Sequence, residues 1–315
     1  FYPDSGVIIG SSRGGISTIE RELKRFYSKS VSNNFKFSPY LMPSSTIGIA
    51  ASIISEKLRI KGICFGISCA CSSGAVAIGE AYRIIKEGYA KIMLAGGADA
   101  PICELCVIGY GSSGALSKRA DYTASRPFAK SRDGFVLSEG ASVLVLEEYE
   151  HAINRDAHVY GEIIGYSNRT DAHHITRPYL EGEIDTIELA LKQAKISPEE
   201  VDCVSAHATS TPLGDLTEAE AIKRVFRANH NITITAIKSL SGHMLAASGA
   251  FEIACALMSI KEGLIPPTIN LFDKDPSCDI EVNTKLRSVP IEIVLTNSFG
   301  FGGINAVLIM RKFSE

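Results

Sequence analysis

Short runs of β-branched and apolar residues recur along the chain, at Gly6–Gly10, Ile92–Ala95, Ala141–Leu146, Val159–Tyr166, Asp202–Ala206, Ile232–Ile237, Ile291–Thr296 and Asn305–Ile309. Their length and composition predict strands. Between several of them, apolar residues return with helical spacing, at Gly74–Glu87, Glu183–Ala194, Leu216–Phe226 and Gly249–Glu262. Strands interleaved with helices predict a layered α/β protein. Pro and Gly cluster only at short connections, so no long linker divides the chain.

Two of the predicted helices repeat each other. Ser73–Gly88 reads SGAVAIGEAYRIIKEG and Ser248–Gly263 reads SGAFEIACALMSIKEG, with nine identities in sixteen positions. Both open on small residues that permit close packing, and both end on Lys-Glu-Gly, Gly being the usual residue past a helix C-terminus. Chance likeness between amphipathic helices is the bland explanation, but matched ends together with matched small positions favour a duplicated architecture. The expected halves are residues 1–150 and 151–315, facing each other across a pseudo-dyad. Cys71 stands just ahead of the first repeat and His243 just ahead of the second.

Composition narrows the function classes. Apolar residues make up 45% and charged residues 21%, ordinary globular proportions that argue against disorder. With 32 Lys and Arg against 35 Asp and Glu, the net charge is −3. That offers no broad cationic field to a phosphate backbone, so nucleic acid is not the expected partner. The longest uncharged stretches, Phe37–Ser55, Gly62–Gly79 and Ile293–Met310, are broken by Ser, Gly, Pro or Asn and predict no membrane span. Eight dilute cysteines, two of them one residue apart, read as reduced thiols of a cytoplasmic protein.

The candidate chemistry sits in turns. Cys71 lies where a turn opens the first repeated helix, and a helix N-terminus favours the thiolate and lowers a thiol pKa. A buried Cys is also an ordinary core residue. His207 (in Ala-His-Ala-Thr-Ser-Thr-Pro) and His243 (in Lys-Ser-Leu-Ser-Gly-His) occupy polar turns, where structural and catalytic roles are about equally common. Lys238 and Glu252 bracket His243, as a structural buried bridge or as a device that orients the imidazole. The Gly-rich segment Asn297–Asn305 is either a plain hairpin or a turn that aims N–H groups into a cavity, as an oxyanion hole requires.

Together these pieces resemble the β-ketoacyl-[acyl carrier protein] synthases, in the elongating Cys-His-His branch of the thiolase-like superfamily. The resemblance covers nearly the whole chain and rests on five motifs in the family's order. These are the Cys71 turn, Arg126-Pro127-Phe128 with Arg132-Asp133-Gly134-Phe135, the His207 turn, the Lys238–His243 turn and the Phe299–Asn305 turn. Relatives with Cys-His-Asn or Cys-His-Cys sites fit less well, because Gly242-His243 precedes the second repeated helix.

The resemblance implies a duplicated five-layer α/β/α/β/α sandwich and an acyltransferase that performs a decarboxylative condensation. Cys71 is expected to carry the acyl chain, His207 and His243 to stabilise the malonyl-derived enolate, Lys238 with Glu252 to hold the network, and the backbone N–H groups of Cys71 and Phe301 to form the oxyanion hole. Thr209 and Thr211, with Thr176 as a weaker candidate, are expected to bind the phosphopantetheine arm. Tyr110, Phe135 and Phe299 are expected to wall the acyl pocket, with Phe301 as its gate. Tyr110 replaces a common Phe, and its hydroxyl needs a partner.

Acyl carrier protein is the implied partner, together with a homodimer or a heterodimer with a related subunit, in which the Phe37–Ile53 region lies near the interface. No metal or redox cofactor is implied. Lys118, Arg119 and Arg126 are the candidate carrier-docking cations. A malonyl decarboxylase and a non-catalytic chain-length partner are the alternatives. The family fold also implies a strand and a helix-bearing stretch ahead of Gly6, so these residues are expected to be part of a longer chain or to receive that part from elsewhere. Ala208 stands where the family usually has Gly, an added methyl near the tunnel. Cys103-x-x-Cys106 reads as pocket or interface thiols rather than a zinc or redox pair. The adjacent His173-His174 reads as tunnel lining, and His151, His158 and His230 are given no role. The Gly6–Gly15 segment lacks the spacing of a nucleotide-binding loop.

Overall fold

Small residues that recur in sequence have to lie against something, and in the computed structural model the two repeated helices lie against each other. The structure describes residues 4–28, 35–229 and 231–314. The first half runs β1 (Gly6–Gly10), α1 (Ile16–Ser28), α2 (Leu41–Ser45), α3 (Ile49–Leu58), β2 (Cys64–Ile67), α4 (Ser73–Lys86), β3 (Ile92–Asp99), α5 (Glu104–Ser112) and β4 (Gly140–Glu147). The second runs α6 (Tyr149–Asn154), β5 (Glu162–Thr170), α7 (Leu180–Ala194), β6 (Cys203–Ser205), α8 (Pro212–Val225), β7 (Thr233–Thr235), α9 (Lys238–Ser241), α10 (Ala246–Glu262), β8 (Leu264–Ile265), β9 (Arg287–Ser288), β10 (Ile293–Gly300) and β11 (Ile304–Arg311).

The two main sheets repeat one topology. In the order β2-β1-β3-β4, β1 runs parallel to β2 and β3, and β4 runs antiparallel to β3. In the order β7-β6-β10-β11-β5, β6 runs parallel to β7 and β10, and β11 runs antiparallel to β10. The first four strands of the second sheet thus match the whole of the first, and β5 is added at the edge beside β11. Helices α4 and α10 fill the space between the sheets, α3 covers the outside of one, and α7 with α8 covers the outside of the other. This is the α/β/α/β/α stack.

Between the sheets, Ile8, Ala75, Ala77, Ile78, Met93, Ala250, Ile253 and Leu308 form one continuous core. The helices approach until backbone meets backbone. A Cβ on Gly74 would stand 2.4 Å from the Ala246 carbonyl oxygen, and one on Gly249 would stand 2.6 Å from Ser298 Oγ and 3.0 Å from Ala75 Cβ. The small residues of the repeat are therefore demanded by contact rather than by helix propensity.

Several elements depart from the sequence pattern. Strand β2 lies at the edge of its sheet and is half exposed, so its Cys-Phe-Gly-Ile sequence shows no alternation. Helix α5 contains two glycines and almost no amphipathic contrast, because it buries only Cys106 and Tyr110. Strand β10 continues through Asn297–Gly300, past the last β-branched residue, because β11 pairs with it to the end.

Gly74→Val is expected to destabilise the protein by at least about 2 kcal/mol, since the added branches meet fixed backbone. Gly109→Ala on α5, with nothing within 4 Å of its Cβ, is expected to be neutral or slightly stabilising. Denaturant unfolding of the two variants checks this, and equal losses would contradict the packing account.

Candidate active site

The β2–α4 connection is a tight turn in which Ala70 takes a φ of +50°, a left-handed conformation that a residue with a Cβ adopts only when held there. Ser73 holds it: its hydroxyl accepts from the Cys69 N–H at 2.8 Å and donates to the Ala70 carbonyl at 2.6 Å. The Ser72 hydroxyl donates to the Cys69 carbonyl at 2.7 Å. Cys71 is thereby fixed just ahead of α4, 8% exposed. The Phe301 backbone N–H acts in favour of its thiolate. Burial pushes the Cys71 thiol up to about 11, opposed by the Phe301 N–H, Lys238 and Arg13. This corrects the expectation of a lowered pKa: desolvation outweighs the help from the helix terminus, and the resting thiol is neutral.

His207 follows β6 in a turn pinned from beneath by α8. Glu218 accepts the His207 and Ala208 N–H groups at 2.7 Å each and the Asn297 side-chain amide at 2.9 Å. One helical turn earlier, Asp215 accepts the Ser210 N–H at 3.0 Å and the Phe128 N–H at 2.9 Å. His243 is fixed by backbone pairing, donating its N–H to Val136 and accepting from Ser138. The two imidazoles meet edge to face with centroids 5.5 Å apart.

Their tautomers follow from their partners. The Lys238 ammonium is donor-only and lies 3.3 Å from His207 Nδ1, so Nδ1 accepts and Nε2 carries the proton. Ser248 Oγ accepts the Met244 N–H at 2.9 Å, and among the described residues the acceptor within reach of its own proton is His243 Nδ1 at 3.0 Å, which assigns Nδ1 as the accepting nitrogen. His243 Nε2 then carries the ring proton as well. Burial, reinforced by the Lys238 charge, holds both imidazoles well below the ordinary histidine pKa. The site therefore presents two neutral N–H donors, and Phe135 joins His243 to the cluster that holds the Cys71 thiol.

Lys238 is 1% exposed and reaches Glu252 Oε1 at 2.5 Å. Burial raises Glu252 to about 7 against the pull of Lys238. Tyr110 and Phe135 share an apolar cluster with Cys71, and Phe135 stands edge-on to His243 at 5.1 Å. Phe299 instead packs on the core of the second half and reaches His207 at 6.1 Å. Phe301 is partly exposed on the β10–β11 turn, where Gly302 and Gly303 both take positive φ. Thr209 and Thr211 pair through their hydroxyls at 3.1 Å. Thr176 lies apart from that pair in its bonding, on an exposed loop where its N–H donates to His174 Nδ1 at 3.1 Å.

Arg126 is not a surface cation: it is buried on Asp133 at 2.8 Å and on the Ala124 and Ser131 carbonyls, whereas Lys118 and Arg119 are exposed. His230 lies outside the described residues. Among the described residues, no group of three or more His, Cys, Asp or Glu is arranged to hold a metal, and no helix is long and apolar enough to cross a membrane. A cavity of about 450 Å³ lies between Ser11–Gly15, α3 and the facing ends of β3 and β4, and it is lined by neither Cys71 nor a histidine. Glu218 and Asp99 do not stand out in the sequence, and Asn297 and Ser248 enter it only as the first residues of the Gly-rich segment and of the second repeat, with no site role. Only Glu218 had a visible signal, lying with Asp215 on the apolar Ala219–Ile222 face of its helix.

Comparison with known proteins agrees with this geometry. Residues 2–152 match the family described as Beta-ketoacyl synthase, N-terminal domain, and residues 160–272 match Beta-ketoacyl synthase, C-terminal domain. The chain is 42% identical over 315 residues to 3-oxoacyl-[acyl-carrier-protein] synthase 2 of Synechocystis sp., covering 98% of this chain and 75% of that protein. A solved type II PKS acyl-carrier protein in complex with its ketosynthase, bound to the hexaketide, matches 99% of this chain and 79% of that one, with a TM-score of 0.94 and 36% identity. The ishigamide ketosynthase/chain length factor matches with a TM-score of 0.93 and 32% identity, over 99% and 76% of the two chains. With both family domains matched in order across a duplicated sandwich, the chain belongs to the β-ketoacyl synthase family.

Proposed function

We propose that this protein condenses an acyl thioester with malonyl-acyl carrier protein through an acyl-Cys71 intermediate, extending a fatty acid or polyketide chain. The observation that carries the reading is the convergence of one thiol, one backbone N–H and two neutral imidazole N–H donors. In the first step Cys71 sulfur attacks the acyl thioester, the N–H groups of Cys71 and Phe301 hold the oxyanion, and the carrier's thiol leaves with a proton. In the second, malonyl thioester loses CO₂ and its oxygen becomes an enolate held by Nε2–H of His207 and His243. The enolate carbon attacks acyl-Cys71, and the released thiolate takes up a proton. Splitting one condensation into two transfers requires no metal or redox cofactor.

Neutral donors suit an enolate because they stabilise developing charge without surrendering a proton to it. Lys238 and Glu252 act by positioning, since neither reaches past His207. Residues 1–150 and 151–315 serve as the two halves, the first supplying the nucleophile and the second both donors. Thr209 and Thr211 are the hydroxyls we assign to the phosphopantetheine amides. Thr176 is a weaker candidate. Tyr110 and Phe135 wall the acyl pocket, Phe299 borders it at His207, and Phe301 gates it. All eight cysteines are free thiols, which suits the cytoplasmic location we infer.

Incubation with an acyl-carrier protein thioester is expected to add one acyl mass to the intact protein and none to Cys71→Ser. Loss of CO₂ from malonyl-carrier protein without any acyl adduct would favour the decarboxylase reading, and absence of both reactions in folded protein would contradict the assignment. The edge strand β2, with Phe65 exposed, and the exposed α5 residues Leu105 and Ile108 support pairing with a second copy or a related subunit. Light scattering is expected to give the mass of a dimer, alone or with that subunit. A fully active monomer would refute the pairing.

A further inference from the structure

The apolar cluster around Cys71 ends on a charge. Tyr110, one wall of the cluster that contains Cys71, accepts hydrogen bonds from Arg13 Nε at 2.9 Å and from a terminal guanidinium nitrogen at 2.6 Å. The guanidinium carbon lies 5.2 Å from the ring centroid. Both bonds use the phenol oxygen as acceptor, so the phenol proton is directed elsewhere. Burial keeps that phenol protonated, opposed by Arg13. Among the described residues no carboxylate lies within ion-pair distance of the guanidinium, which therefore keeps unused N–H donors.

Arg13 is placed by its backbone. Asp99, at the end of β3, accepts from Ser11 Oγ at 2.8 Å, Ser12 Oγ at 2.6 Å, the Ser12 N–H at 3.1 Å, the Arg13 N–H at 3.3 Å and the Ala246 N–H at 2.9 Å. The turn bearing Arg13 is thus tied to the first residue of α10, the helix that follows His243. Its side chain comes in from the exposed side of the cluster, and its charge is felt at the Cys71 sulfur.

We propose that Arg13 and Tyr110 close the acyl pocket with a donor-only end that selects an acyl chain bearing a carboxylate at its far end. This rests on the acyl-Cys71 reading above. A plain alkyl end would displace water from a cation and return no acceptor. A carboxylate replaces that water with charge-assisted bonds.

The test offers the protein equal amounts of pentanoyl and glutaryl N-acetylcysteamine thioesters, matched in chain length, and reads the two Cys71 adducts by intact mass. Glutaryl is expected to exceed pentanoyl by about tenfold. Arg13→Leu is expected to lose that preference, Arg13→Lys to keep most of it, and Tyr110→Phe to fall between. A wild-type preference for pentanoyl, or a ratio unchanged in Arg13→Leu, overturns the inference and leaves the condensing reading standing. Absence of both adducts from folded wild-type protein overturns both.

Discussion

A single buried ammonium sets the chemistry of this site. Lys238 is almost completely shielded from water and lies between Glu252 and His207. A desolvated cation is tolerated only with a close counter-charge, and removing one partner of such a pair typically costs about 3–5 kcal/mol. Because the ammonium has protons to give and no lone pair to accept with, His207 Nδ1 has to be bare. Its charge also resists protonation of His207 and His243, and it favours the Cys71 thiolate against burial. One cation therefore fixes a tautomer, adds to burial in keeping two imidazoles neutral, and sets part of the nucleophile's environment.

The duplicated frame explains how groups so distant in sequence meet. Helices α4 and α10 cross where Gly74 and Gly249 let backbone approach backbone, and the turns ahead of both helices open on the same side. One turn carries Cys71 and the other His243. Asp99 strengthens the junction from the first half by taking the Ala246 N–H at the start of α10, where a carboxylate also meets the favourable end of the helix dipole. His207 comes from the end of β6, an interior strand of the second sheet, and Glu218 clamps its turn through two main-chain N–H groups. The reacting groups are thus borne on turns whose backbone is fixed before any substrate enters.

Much of this was legible in the sequence, and the rest was hidden for identifiable reasons. The repeat revealed the duplication because close helix packing constrains residue size at each position. The turns bearing Cys71, His207 and His243 stood out because chemistry-bearing residues lay among Gly, Ser and Thr. Glu218 and Asp99 did not stand out, since each acts on backbone supplied by another segment, and a carboxylate on a helix reads as solvated until its face is known. The thiol illustrates the opposite error. A helix terminus can be read locally, whereas burial depends on Tyr110, Phe135 and Leu245 arriving from elsewhere. Arg126 was misread for the same reason: Asp133 and two carbonyls absorb it inside the protein.

Both imidazoles are neutral with the proton on Nε2, and nitrogen-15 NMR of the histidine side chains measures this directly. The expected spectrum shows bare Nδ1 and protonated Nε2 for His207 and His243, unchanged as the pH falls from 8 to 6. A proton on Nδ1 of either ring at pH 7, or titration of either near 6.5, would contradict it.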